Sequence, residues 1–225
     1  MRLLVLTPDA ARELGLVAEA VAAEKYKFDM GRTVPLGGGK AGFFSAPPGV
    51  DFFDISHGFG NTSLYAAFLV DKHPALSPSR ILELSDNKLV KIPDLTTFLP
   101  GTQTEFYEIE PNSPSGLTAG AAKIAAVSAL YARFGLPYVP GMRWTLNFRF
   151  ILFSGSILGI KVDVFLHIFR RDPGLVVYEV CADGKSRSLT NAEVAAIIAI
   201  VLIAVLAAIA SDGVLIPALA GLLAV

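Results

Sequence analysis

Residues 142–181 read MRWTLNFRFILFSGSILGIKVDVFLHIFRRDPGLVVYEVC and carry the strongest strand signal of the chain. Large apolar side chains alternate with polar ones at the start of this stretch, which is the period-two pattern of a strand with one buried face. The pattern predicts three strands, at Met142–Phe153, Ile157–Arg170 and Leu175–Cys181, with turns at Ser154–Ser156 and Asp172–Gly174. Residues 142–181 are therefore predicted to form an antiparallel meander with one buried face.

Two helices and several short strands are predicted before the meander. The first helix runs from Thr7 to about Lys25, because Thr7 can cap its amino end and apolar residues recur at helical spacing behind it. The second helix covers about Leu117–Phe134. Short strands are predicted at Tyr26–Met30, Ser63–Val70, Arg80–Leu84, Lys88–Ile92 and Thr104–Ile109. Residues 1–189 are thus predicted to be an α+β head, rich in antiparallel β-structure, with two helices.

The end of the chain has a different composition. Val194–Ala210 is a run of 17 residues without a polar side chain, ~26 Å long as a helix and close to the ~30 Å hydrocarbon thickness of a bilayer. A helix without a polar face must be surrounded by lipid or by protein, so we expect a transmembrane helix, with a buried helix in an oligomer as the alternative. The side chains expected to form the anchor are Val194, Ile197, Ile198, Ile200, Leu202, Val205, Leu206 and Ile209.

Residues 190–225 are predicted to form an anchor of two parts, because a turn at 211–213 separates the span from an apolar segment at 214–225. This segment is ~18 Å long as a helix and too short to cross a bilayer alone. A charged Asp212 at the bilayer centre would cost ~2.5–3.5 kcal/mol, so we expect a turn near the far headgroups. Contact of Asp212 or of the segment with a partner subunit is the alternative.

The residues beside the predicted span indicate its orientation. Lys185 and Arg187 precede the span and no basic residue follows it, which favours a single-pass protein with its head on the cytoplasmic side. The apolar run of Met1–Leu6 is interrupted after four residues, so it predicts a buried first strand and not a secretory signal.

Composition excludes several classes of site. The net charge is −1, with 19 basic and 20 acidic residues, so there is no electrostatic footprint for nucleic acid. Cys181 is the single cysteine, which excludes an intrachain disulfide and a cysteine-based zinc site and indicates a buried, inert thiol. No metal or cofactor is expected.

A loop-rich stretch at residues 31–61 holds the weak candidates for chemistry. Asp51, Asp54 and His57 are three apart and could act as metal ligands or as an acid–base group, although Pro and Gly around them argue against the helix that would align them. Gly37-Gly38-Gly39-Lys40 lacks the earlier glycine and the following hydroxyl residue of a phosphate-binding loop. Solvated loop residues are the simpler interpretation of this stretch.

Four arginines, Arg143, Arg149, Arg170 and Arg171, are candidates for an interface with lipid headgroups or with an acidic partner. Together these features favour a tail-anchored structural or assembly subunit that docks other proteins at a membrane face, as in a membrane-bound multisubunit complex or a membrane-containing virus particle. Its expected partners are the lipid bilayer and other protein subunits, a homo-oligomer included. A membrane-tethered enzyme or ligand-binding domain, with its site at residues 41–61, is the alternative.

Overall fold

The computed structural model describes residues 2–3, 14–15, 17–19, 21–23, 25–26, 29, 62–85, 91–96, 104–157 and 160–184. The helices are α1 (Thr62–Lys72), α2 (Pro78–Ser85) and α3 (Pro114–Phe134), and the described residues between 14 and 29 are also helical. The strands are β1 (Arg2–Leu3), β2 (Leu95–Thr96), β3 (Thr104–Pro111), β4 (Tyr138–Pro140), β5 (Asn147–Ile157), β6 (Ile160–Asp172) and β7 (Leu175–Gly184). The mixed α and β content that the sequence predicts is confirmed.

The strands form one mixed sheet in the order β2-β3-β7-β6-β5, with β1 also paired to β7 and β4 to β3. The predicted meander is confirmed, since β5 pairs antiparallel with β6 and β6 pairs antiparallel with β7. The other edge of β7 is shared by two strands: β3 pairs in parallel with Leu175–Tyr178, and β1 pairs antiparallel with Cys181 and Ala182. A first strand at the start of the chain is therefore confirmed as well.

The alternation that predicts the meander matches the burial in the structure. Along β6 the side chains of Val162, Val164, Leu166 and Ile168 are all buried in the core. The predicted turn at Ser154–Ser156 is wrong, because these residues lie inside β5 opposite Lys161–Asp163. The Ser154 hydroxyl donates to Asp163 Oδ1 at 2.7 Å, so the serine that suggested a turn instead forms a cross-strand contact.

Three segments that are predicted as strands are helical. Ser63–Val70 lies in α1, where Tyr65, Ala66 and Leu69 are buried at helical spacing. Arg80–Leu84 lies in α2, which begins at Pro78 and buries Leu84. The described residues of Tyr26–Met30 continue the N-terminal helical residues. The predicted strand at Lys88–Ile92 is also wrong where it is described, because Lys91 and Ile92 precede the short strand β2.

Helix α3 is confirmed and extends slightly beyond its predicted start. Ser113 caps it, since the Ser113 hydroxyl accepts a hydrogen bond from the Gly116 amide at 3.1 Å. Gly135 ends it with a left-handed φ of 66°, a conformation that glycine adopts without steric cost. The long helix thus has well-defined ends and packs against β3 and β7.

The core joins the sheet to the helices, and it includes Leu14 and Tyr26 of the N-terminal helical residues, Leu69 of α1 and Val127 of α3. In the part of the chain that the structure describes, no helix is both long and apolar enough to cross a membrane. The predicted span at 194–210, the turn at 211–213 and the segment at 214–225 all lie outside the described residues, as does the loop-rich stretch 31–61.

Candidate functional site

Most residues that the sequence marks as functional lie outside the described part of the chain. These are the weak catalytic candidates Asp51, Asp54 and His57, the anchor side chains between 194 and 209, and Asp212. The four arginines are described, and they divide into two locations. The described part of the candidate site therefore consists of the arginines and the elements around them.

Three of the arginines lie at one end of the sheet, around the turn between β6 and β7. Arg170 donates from Nη1 to the carbonyl of Met142, and Arg143 Nε lies 3.2 Å from Glu105 Oε1. Arg171 Nη1 donates to Asn112 Oδ1 at 2.9 Å. We call this end, centred on Asp172–Gly174, the turn end. Its cationic side chains are partly exposed, so they can meet an acidic surface.

Arg149 lies elsewhere, within the sheet. Its guanidinium carbon is 4.7 Å from the centre of the Phe165 ring, and its Cα partner across the strands is His167. His167 contacts Glu179 Oε1 at 3.1 Å and Asn147 Oδ1 at 2.8 Å through its two ring nitrogens. The sequence places His167 and Asp163 on one face of β6, but the structure gives them different partners.

A groove of about 340 Å³ opens beside the turn end, between α3 and the β6–β7 turn. Its walls are mostly apolar and its rim is charged; the lining residues are Leu117, Ala121, Ile124, Ala125, Arg171, Asp172, Pro173 and Leu175. Gly120 brings the helix close to the sheet, because a Cβ there would lie 2.5 Å from Leu175 Cδ1. The groove can hold an apolar side chain next to the guanidinium of Arg171.

A buried ionic cluster ties α3 to the sheet behind this groove. Lys123 Nζ lies 2.7 Å from Asp94 Oδ1 and 2.5 Å from Glu108 Oε2, while Asp94 Oδ2 accepts from the Ile109 amide at 2.7 Å. Burial, together with repulsion from Asp94, raises the pKa of Glu108 well above its ordinary value, although Lys123 offsets part of this. Lys123 is thus the cation that these two carboxylates share.

Two further carboxylates surround the same ammonium group. Burial, followed by repulsion from Asp94, raises the pKa of Glu19 to about 8, and burial also raises the pKa of Glu110. Burial opposes the charge of Lys123, but attraction to Asp94 and Glu108 outweighs it and raises the Lys123 pKa. Glu19 therefore retains its proton at neutral pH near the charged Lys123.

Glu105 is a second buried carboxylate at the turn end and fixes the segment between β4 and β5. Its oxygens accept from the amides of Met142 and Arg143 at 3.1 and 3.2 Å and from the Tyr107 hydroxyl at 2.9 Å. Gly141 packs against the Tyr107 ring so closely that a Cβ would lie 2.0 Å from it. A carboxylate with this many donors orders the backbone beneath Arg143.

Cys181 lies near the end of β7. Cys181 is buried, and burial with the nearby Glu179 carboxylate raises its thiol pKa to about 11, which makes it a poor nucleophile and supports the inert thiol that the sequence predicts. Among the described residues, no group of three or more His, Cys, Asp or Glu side chains could hold a metal ion.

Sequence reasoning missed the buried carboxylates of β3, although a signal was present. Glu105 and Glu108 are separated by an odd number of positions in a strand, so they point to opposite faces and cannot both face solvent on a half-buried sheet. At least one of them must be buried and therefore paired. The partners Asp94 and Lys123 lie 14 and 15 residues away and gave no comparable signal.

In comparisons with known proteins, no protein-family model, no curated protein and no solved structure matches the chain.

Proposed function

We propose that this chain is a tail-anchored structural or assembly subunit that docks partner proteins at a membrane face. The observation that carries the proposal is the 17-residue run Val194–Ala210, which has no polar side chain and follows the last strand of an α+β head. A membrane-bound multisubunit complex and a membrane-containing virion are both assemblies in which such a subunit would serve.

The turn end supports a docking role for the head. The groove beside α3 combines apolar walls with the Arg171 guanidinium at its rim, which suits a partner segment that carries an apolar side chain next to a carboxylate. The surroundings are rigid, because buried ion pairs hold α3 on β3 and Glu105 holds residues 142–143. A rigid groove loses little conformational entropy on binding.

Flotation with liposomes tests the anchor. Wild-type protein is expected to float with lipid, whereas the double variant Ile200→Arg/Val205→Arg stays in the dense fractions, because two charges in the span together cost about 5–7 kcal/mol of insertion free energy. The matched control is Met142→Arg/Ile151→Arg, which makes the same change at two side chains of the head that are 60% and 62% exposed. Flotation of the span variant, or failure of the wild type to float, would overturn the membrane assignment.

Purification in mild detergent tests the docking role. We expect a partner at fixed stoichiometry with the wild type, and its loss from Ala121→Asp, because a carboxylate in the groove removes apolar contact area and attracts Arg171. Ala129→Asp is the control, since Ala129 is exposed on the same helix outside the groove lining. Purification of the wild type alone, with tight binding of a small ligand, would instead favour the tethered enzyme or ligand-binding domain.

A further inference from the structure

Strand β5 lies at the edge of the sheet. In the strand order β2-β3-β7-β6-β5 its inner side pairs with β6, and no strand of the described residues pairs with its outer side. The strand is 11 residues long, and the side chain of Ile151 in its middle is 62% exposed. An edge of this length presents a row of backbone donors and acceptors with which another strand can pair.

The backbone groups on the outer side of β5 follow from its pairing with β6. The Arg170 amide of β6 donates to the carbonyl of Leu146, the residue before β5, at 3.0 Å. Bonded and unbonded positions alternate along an antiparallel pair, so the amide and carbonyl of Asn147 point away from β6. The same alternation directs the backbone groups of Arg149 and Ile151 outward, before the bulge that follows Ile151.

The core-facing side of β5 is incompletely covered. Phe148 and Phe150 lie opposite Ile168 and Leu166 of β6, which are fully buried, whereas both phenylalanines are only partly buried. An edge residue has a neighbouring strand on one side alone, so part of its lateral packing is missing. A further strand with apolar residues at alternate positions would complete the burial of both rings.

The pattern of β5 itself suits this edge. Residues 147–151 read NFRFI and contain neither the proline nor the lysine that keeps many exposed edges from pairing, and Arg149 is their single charge. If two copies pair antiparallel with Phe150 opposite Phe150, the phenylalanines of both copies lie on the same face. Each copy then supplies the apolar residues that the edge of the other lacks.

Arg149 decides between the possible registers. A two-fold axis at Arg149 would place two guanidinium groups directly opposite each other, which is unfavourable for like charges. An axis at Phe150 places Arg149 opposite Ile151 of the second copy. The outward amides and carbonyls of these two residues can then form hydrogen-bonded pairs on both sides of the axis.

We propose that this chain forms a two-fold symmetric dimer in which the β5 strands of two copies pair antiparallel, with Phe150 at the axis. The two sheets continue into one, and Phe148 and Phe150 of both copies form a single apolar strip on the core face. The groove beside α3 stays open in each copy, because α3 packs against β3 and β7 and β6 separates β7 from β5. The dimer does not depend on the membrane anchor.

Disulfide cross-linking of the full chain in mild detergent tests the dimer and its register. In Phe150→Cys the two cysteines face each other at a Cα separation of about 4.5 Å, which a disulfide can span. Phe148→Cys is the matched control, because it changes the same residue type on the same face but places the two cysteines about 14 Å apart.

We expect the cross-linked dimer to be at least about fivefold more abundant for Phe150→Cys than for Phe148→Cys. The wild type gives the background, because its single Cys181 is buried. Equal yields from the two variants would overturn the proposal.

Charge at residue 151 tests the same contact without altering the core. Ile151 is largely exposed, so Ile151→Lys and Ile151→Glu should both fold. In the dimer the new side chain lies opposite Arg149 of the second copy, and the two-fold axis repeats this contact. The dissociation constant from sedimentation equilibrium should be at least about fivefold higher for the lysine variant than for the glutamate variant. Equal dissociation constants, or a monomeric wild type, would overturn the dimer, whereas flotation with liposomes would still report on the anchor.

Discussion

The two ends of the sheet are built from different chemistry. At the turn end, carboxylates that are almost fully buried hold the surrounding segments: Glu105 accepts from the amides of 142 and 143, and Glu108 contacts Lys123. At the opposite end of the sheet, which we call the tip end and where β5 ends at Ile157 and β6 begins at Ile160, the described carboxylates Asp163 and Asp183 are at most partly buried.

The two ends therefore differ in how strongly buried charge constrains the packing. Buried charges confer specificity of packing, because they tolerate no arrangement that leaves them without partners. They suit an end of the sheet that keeps a fixed shape. A carboxylate that is only partly buried, such as Asp163, keeps part of its hydration and constrains the packing less.

The largest expected effect comes from changing one lysine at each end to methionine. Lys123→Met leaves Asp94 and Glu108 without their cation and should lower the free energy of unfolding by about 3 kcal/mol, the lower end for a buried pair because the Lys123 side chain is 37% exposed. Lys161→Met, the same change at an exposed tip-end site, should alter it by less than about 1 kcal/mol. Urea unfolding in detergent, followed by the fluorescence of the only tryptophan, Trp144, measures both.

Equal losses for the two lysine variants would contradict the contrast between the ends. A second substitution tests the cause of the stability loss, because Glu108→Gln in the Lys123→Met background removes one of the buried carboxyl groups. It should recover part of the lost stability if the uncompensated carboxylates are responsible. A loss that is unchanged by Glu108→Gln would point to the packing of the lysine stem.

The next effect comes from changing one carboxylate at each end to its amide. Glu105→Gln directs an amino group toward the donors of 142 and 143 and should cost about 2–3 kcal/mol. Asp163→Asn changes an acceptor of the Ser154 hydroxyl at the tip end and should cost about 0–1 kcal/mol. The same urea titrations compare them, and a tip-end loss as large as that of Glu105→Gln would show that burial does not set the cost.

The sequence predicted the meander because its signal is local. Alternation from Trp144 to Phe150 and from Val162 to Ile168 reports which face is buried, and that face is found as predicted, whereas Phe165 on the opposite face of β6 is buried as well. The same logic failed at Ser63–Val70, because short runs of aromatic and branched residues suit a buried helix as well as a strand. The parallel pairing of β3 with β7 depends on contacts across more than 60 residues, and no local pattern encodes such a register.

The candidate site also has features that a local sequence pattern indicates and features that it does not. The arginines could be named as interface candidates from residue type alone, but their separation into the turn end and the first part of β5 follows from strand register. Glu108 could have been suspected from its odd spacing to Glu105 in a strand, whereas its partner Lys123 is brought near only by the packing of α3. Local patterns thus identify the groups that need partners, and tertiary structure decides which partners they find.

The smallest expected effect is a pH dependence that originates at the turn end. The pKa of Glu19 is raised from 4.5 in its ordinary state to about 8, so the folded chain binds a proton between these values that the unfolded chain has released. Stability from this group is therefore greatest below pH 4.5, falls as the pH rises toward 8, and is constant above that.

Glu19→Gln keeps the side chain neutral at every pH. Its free energy of unfolding should match that of the wild type near pH 4 and exceed it by about 1–2 kcal/mol at pH 8, less than the full shift implies because Glu19 remains partly exposed to solvent. Thermal unfolding of both proteins across this pH range measures the difference. If the two stability curves run parallel, Glu19 is ionised in the folded state. The cluster around Lys123 is then less buried than its contacts indicate.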